Sequence, residues 1–205
     1  MNLFIFDENP YIAAIHYCNN HVKKIILEAA GCLCCAHWET GGRVLFTHPD
    51  APKELITPYV RLQKNGKQKI VYRYRAESHR NNHVTKWVRE SKSNYQWTAK
   101  HALALCKEFT RRNKKIHKTQ RIIEWLYQNP PELPERATQF RQAVAQECKH
   151  KDVTIAYKLY YAFCKQHLAE WPQEPIWHKK LRYLIDQGHT INYIKQKIEE
   201  GRLQV

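Results

Sequence analysis

Residues 21–38, HVKKIILEAAGCLCCAHW, carry apolar side chains at the spacing of one helix face. At about 100° per residue, Val22, Ile25, Ile26, Ala29, Leu33 and Ala36 fall in one broad sector. Leu27, Ala30 and Cys34 widen that sector round one flank, so the helix is expected to be central and largely buried. Opposite runs a narrow polar strip of His21, Lys24 and Glu28, with Cys35 beyond it. Ahead of this segment MNLFIF reads as an extended, β-prone run, and Asn9 caps a helix starting at Pro10, where the missing N–H costs nothing. Cys18-Asn19-Asn20 interrupts the helical pattern before it resumes, and Gly41-Gly42 ends it.

In YVRLQKNGKQKIVYRYR, residues 59–75, two β-prone runs flank Asn65-Gly66, a strong hairpin signal. Alternation places Lys67, Lys69, Arg73 and Arg75 on one face with Val71, and Gln68, Ile70, Tyr72 and Tyr74 on the other. One side should present cations while the other packs. Helical patterns follow over 83–113, as one helix or two, then 117–128, 137–148, 152–170 and 178–200, punctuated by NPPELPE, WPQEP and DQGHT. The chain is therefore expected to be mainly α: a single helical domain over 1–170 with one basic β-hairpin insertion at about 56–75, and a helical C-terminal extension over 171–205.

Charge sharpens this picture. Lysine and arginine number 34 against 19 acids, a formal net charge of +15 over 205 residues. The default partner is a polyanion, with DNA favoured, RNA the alternative, and a membrane surface disfavoured because no helix joins a lysine-rich face to a clean apolar one. No apolar run of spanning length and no secretory signal pattern appears, so an intracellular, reducing compartment and a monomer are expected. Seven cysteines without framework spacing read as reduced thiols.

Cys32, Cys34, Cys35 and His37 resemble metal ligands at first sight, yet on a regular helix they cannot surround one ion, and no second ligand pair follows. Small thiols packed in a buried helix account for them, and neither metal nor cofactor is expected. Glu28 is different: a carboxylate in a nearly apolar helix must be paired or serve a site. Pairing with Lys24 at i,i+4 is one reading and chemistry the other. Cations and aromatics cluster again in HRNNHVTKWVRES, with Arg80, His83, Lys86, Trp87 and Arg89 around a helix start capped by Asn82, and in TRRNKKIHK, with Arg111, Arg112 and Lys115 at a helix end.

Two stretches, HVKKIILEAAGCL and HVTKWVRESKSNYQWTAKHALALCKEFTRR, with a weaker echo in AYKLYYAF, resemble the phage pyrimidine-dimer DNA glycosylases of the endonuclease V type and their viral and bacterial relatives. The resemblance implies a small helical domain that removes a damaged or modified pyrimidine from double-stranded DNA and nicks the abasic site. It implies an α-amine that attacks the sugar C1′, assisted by a glutamate that matches Glu28. The chain departs from that family at its start: the family's amine is exposed when the initiator methionine is removed from before a small residue, whereas this chain begins Met1-Asn2-Leu3, a methionine that is retained as a rule, so the amine belongs to Met1, one residue further out. It departs again at Leu27 and Gly31, where the family has arginines; His21, Lys24, the hairpin cations and Arg89 would have to supply phosphate contacts. The alternatives are a binding protein of the same fold without catalysis, and a nuclease using His83 or His117 as general acid or base.

Overall fold

The computed structural model describes residues 2–74 and 80–205; Met1, Arg75 and His79 lie outside the described residues. The first described residues are extended, as their composition implies, but they join no sheet. Leu3, Phe4, Ile5 and Phe6 are all buried, threaded between helices. A buried strand without a ladder leaves polar backbone groups to be paired elsewhere. Tyr17 pairs them at Phe4: its hydroxyl oxygen accepts the Phe4 N–H at 2.8 Å and lies 2.8 Å from the Phe4 carbonyl. His101 Nε2 stands 3.0 Å from the same hydroxyl, while His101 Nδ1 lies 3.0 Å from the Pro10 carbonyl. That carbonyl can only accept, so Nδ1 carries the imidazole proton, and Tyr17 shares its single proton between Phe4 and His101.

Helix α1 (Pro10–Ile15) begins where the sequence places it, with Asn9 Oδ1 accepting the Tyr11 N–H at 2.9 Å. Helix α2 (Asn19–Glu39) buries the whole expected sector and its flank except Leu27, which stays half exposed. Helix α3 (Arg43–Thr47) and helix α4 (Lys53–Ile56) are short turns leading to β1 (Pro58–Leu62) and β2 (Gln68–Tyr72). Helix α5 (His83–Val88) and helix α6 (Lys92–Asn113) are separate, divided at Ser91, whose side chain accepts the Asn94 N–H at 3.2 Å. The two longest helices, α2 and α6, pack against each other, each burying small side chains (Ala29 and Ala30, Ala99 and Ala102), and α7 (Gln120–Gln128) packs on α6.

The hairpin pairs Tyr59 with Val71, Val60 with Ile70 and Arg61 with Lys69. Its turn differs from a two-residue Asn-Gly loop. The Gln63 N–H donates to the Lys67 carbonyl at 2.8 Å and the Gly66 N–H to the Gln63 carbonyl at 3.0 Å, with Gly66 at φ +78°. That is a three-residue loop in which Gly66 alone takes the left-handed conformation. The expectation that one face packs also fails: Val60, Leu62 and Ile70, on the face opposite Arg61 and Lys69, are 59, 69 and 66% exposed. The ribbon projects beyond Tyr74, which is buried and anchors its base.

The helix expected over 137–148 does not form, and only a 3-10 turn, Gln146–Cys148, lies there. Tertiary partners outcompete the intrahelical bonds. Phe140 packs with ring centroids 5.0 Å from Trp87 and 5.1 Å from Trp97. The Ala143 N–H donates to the Tyr157 hydroxyl at 3.1 Å, and the Ala143 carbonyl accepts from Asn2 Nδ2 at 2.9 Å. Helix α8 (Val153–Cys164), capped by Asp152, stops before a 3-10 turn at Gln166–Leu168. Helices α9 (Ile176–Asp186) and α10 (Ile191–Glu199) bury Trp177, Leu181 and Ile194 in the core shared with the N-terminal run, Trp177 stacking on Phe6 at 5.3 Å.

Tyr17→Phe keeps the ring but strands the Phe4 N–H and leaves His101 short of its partner. We expect it to lower the unfolding free energy by about 2–4 kcal/mol in urea titration. A loss below about 0.5 kcal/mol would show that the N-terminal run holds itself in place.

Candidate functional site

Glu28 sits on α2 where the extended Asn2–Phe6 run crosses the helix. Its side chain is 16% exposed, with Oε2 accepting the Asn2 backbone N–H at 2.7 Å and Oε1 3.6 Å from Lys24 Nζ. The i,i+4 pairing with Lys24 is thus present, and the shorter contact is to Asn2. Asn2 is fixed from other sides as well: Nδ2 donates to the Ala143 carbonyl at 2.9 Å and Oδ1 lies 3.2 Å from the Tyr157 hydroxyl. Burial raises the Tyr157 phenol above its ordinary value, so it stays a protonated donor.

The chain that holds Asn2 also lines a cleft of about 710 Å³. Phe140, Arg141 and Gln142 form one wall, His83 at the start of α5 another, and Lys149, His150 and Lys151 a third. Lys195 and Glu199 of α10 close it. Asn2 is tied through Ala143 to the segment that forms the first wall, but neither Glu28 nor Asn2 is among the lining residues. Of the residues singled out from sequence, the cleft takes His83. Arg141, Lys149, His150, Lys151 and Lys195 escaped that reading; their one local signal was Lys149-His150-Lys151 just before the Asp152 helix cap, a run short enough to pass for a solvated turn.

Several expected contact residues belong instead to the interior. His21 is buried, its Nδ1 2.5 Å from the Tyr161 hydroxyl and its ring 4.8 Å from Phe4, so it is a core group and not a phosphate contact. Trp87, 2% exposed, packs on Phe140 and Trp97 and offers no face to a base. Arg112 is 6% exposed at its side chain; Nε donates to Glu108 at 2.6 Å and Nη1 to the Tyr17 carbonyl at 2.9 Å, which ties α6 to the end of α1. Arg111 is exposed but forked on Glu108, at 2.8 and 2.6 Å. His117 accepts the Thr119 N–H at 3.2 Å and packs on Phe109, away from the cleft lining.

Lys24, Lys67, Lys69, Arg73, Arg80, Lys86 and Lys115 are exposed. Arg80 pairs with Glu39 at 3.1 Å, and its carbonyl accepts Arg89 Nη1 at 2.6 Å, so Arg89 braces the loop before α5. The would-be metal ligands part company as the helical spacing implies. Cys32 Sγ meets Thr85 Oγ1 at 3.5 Å, with burial pushing the thiol up to about 12, and His37 Nε2 meets the Tyr95 hydroxyl at 3.0 Å. Among the described residues no three metal-binding side chains converge, and no helix is long and apolar enough to cross a membrane.

Set against protein-family models, curated proteins and solved structures, the chain finds no match.

Burial lowers the imidazoles of His21, His37 and His101 from 6.5 to about 4. Above pH 6.5 these rings are neutral in both states; between 6.5 and 4 only the unfolded chain takes up their protons. Stability is therefore full above pH 6.5 and is lost on acidification through that window, by up to about 1.4 kcal/mol per pH unit for each ring. Chemical denaturation at stepped pH should trace this decline, and a stability flat from pH 7 to 4.5 would contradict it.

Proposed function

We propose that the protein is a base-excision enzyme acting on DNA, a glycosylase with lyase chemistry at the abasic site, in the manner of the family its sequence resembles. One contact carries the reading: the Glu28 carboxylate accepts a hydrogen bond from the backbone nitrogen of Asn2 at 2.7 Å. In the resembled chemistry an acid stands beside a terminal amine. Removal of Met1 turns that same nitrogen into an α-amine, already within reach of a proton acceptor.

The steps then follow. The amine attacks C1′ of the sugar, the bond from C1′ to the base breaks, and the base leaves as an anion that takes a proton from water. Glu28 stabilises the positive charge that develops on the sugar and receives a proton from the amine. It passes that proton to O4′ as the sugar ring opens to the protonated imine, and is then again a carboxylate that takes the C2′ proton as the 3′ phosphate is expelled; water hydrolyses the imine and frees the amine. The exposed cations of the hairpin and the cleft supply the sequence-independent attraction for the strand.

A second reading is favoured by the same nitrogen. While Met1 is in place, the atom at Glu28 is an amide and not a nucleophile, and the fold is a nucleic-acid binder without catalysis.

Intact-mass measurement of the N-terminus combined with borohydride trapping on abasic DNA separates the two. Protein beginning at Asn2 should form a covalent adduct. Glu28→Gln should lower turnover by about 10²–10⁴-fold while DNA affinity holds, because the amide oxygen still accepts the Asn2 N–H. Absence of both adduct and cleavage product from protein lacking Met1 would leave the binder.

A further inference from the structure

His150 is held in the cleft with half of its bonding capacity unused. Its Nδ1 accepts the Asp152 N–H at 3.0 Å, which puts the proton of the neutral ring on Nε2. Nε2 is buried and has no hydrogen-bond partner among the described residues. Glu199 Oε1 lies 3.8 Å from it, beyond hydrogen-bond distance. The Asp152 N–H holds the ring, and Gln142 fixes the backbone that carries it: Gln142 Nε2 donates to the His150 carbonyl at 2.6 Å and the His150 N–H donates to Gln142 Oε1 at 3.3 Å. A buried donor aimed into a polar cleft calls for an acceptor.

The surroundings say which kind. Lys149, Lys151 and Lys195 share the cleft with this donor. Arg141 also faces it but is drawn to Glu90, 3.1 Å away. Among the described residues Glu199 is the one acid of the lining, and it is 57% exposed at its side chain, with room to turn away when an anion enters. At about 710 Å³ the space exceeds a simple ion, and Phe140 supplies an apolar edge.

We propose that this cleft seats one phosphodiester of a nucleic-acid strand, with His150 Nε2–H as the directional donor and Lys151 and Lys195 as the charges. The assignment rests on the nucleic-acid reading above for the source of the phosphate, and not on the excision chemistry.

Fluorescence anisotropy of the full chain with a labelled duplex containing a tetrahydrofuran abasic analogue, measured across salt, tests it without asking for turnover. Lys151→Ala and Lys195→Ala should each weaken binding by about five- to tenfold and reduce the salt slope by about one. His150→Asn should weaken it about as much with an unchanged melting temperature, since the Asn oxygen still accepts the Asp152 N–H while the Nε2 donor is gone. Glu199→Gln should have the opposite sign and tighten binding. Wild-type affinity in all four variants, or weakening by Glu199→Gln as well, would overturn the proposal. Inorganic phosphate alone is the second arm: if it shifts the His150 imidazole resonances and the duplex does not displace it, the seat is for a small free anion and the strand assignment falls. Failure of borohydride trapping alongside the expected four signs would remove only the excision reading.

Discussion

The burial of Leu3–Phe6 as an extended run without a strand partner is the constraint on which the rest of the molecule hangs. Backbone in that position must find its hydrogen bonds outside any sheet, and Tyr17, itself held by His101, answers that need at Phe4. The run also brings α2, α8 and α9 together, since Phe4 packs on His21 of α2 and Phe4 and Phe6 contact Tyr157, Tyr161 and Trp177 edge-on or stacked. Such aromatic pairs add specificity of angle to the area they bury. Because the same run delivers Asn2 to Glu28, the core and the candidate site are one construction.

A chain with +15 to distribute uses its cations in two distinct ways. Some are structural: Arg112 is locked between Glu108 and the end of α1, Arg182 is forked on Glu174, and Arg121 is paired with Glu54. These are fixed in direction and weakly available to a ligand. Others line the cleft, where Lys149, Lys151 and Lys195 share the described lining with Glu199, or are exposed on the hairpin. Proposed contacts with a strand belong to this second group, and composition alone cannot sort one group from the other.

The same division runs through the histidines. His21, His37 and His101 work as neutral hydrogen-bonding rings inside the core, tuned down by burial. His83 and His150 line the cleft. A histidine in sequence carries no mark of which it will be, because the difference lies in the density of neighbours that arrive from other elements.

Local rules were sufficient wherever a segment's neighbours in sequence settle its state. Asn9-Pro10 starts α1, the apolar sector of α2 faces inward, and Asn65-Gly66 turns the hairpin, all from propensity and period. The mainly helical class follows from the same patterns. The exceptionality of Glu28 was legible too, because a lone carboxylate in an apolar helix is costly without a partner. What tertiary structure alone decided was the partner itself: Asn2 lies 26 residues away in the chain, and its amide reaches Glu28 only because the N-terminal run is threaded across α2. Residues 137–145 form no helix for the same reason, the backbone of Arg141 and Ala143 being bonded instead to Asn2 and Tyr157. Long-range hydrogen bonds and packing override local preference wherever burial makes an unpaired group dearer than a lost helical turn, and that is where the cleft formed.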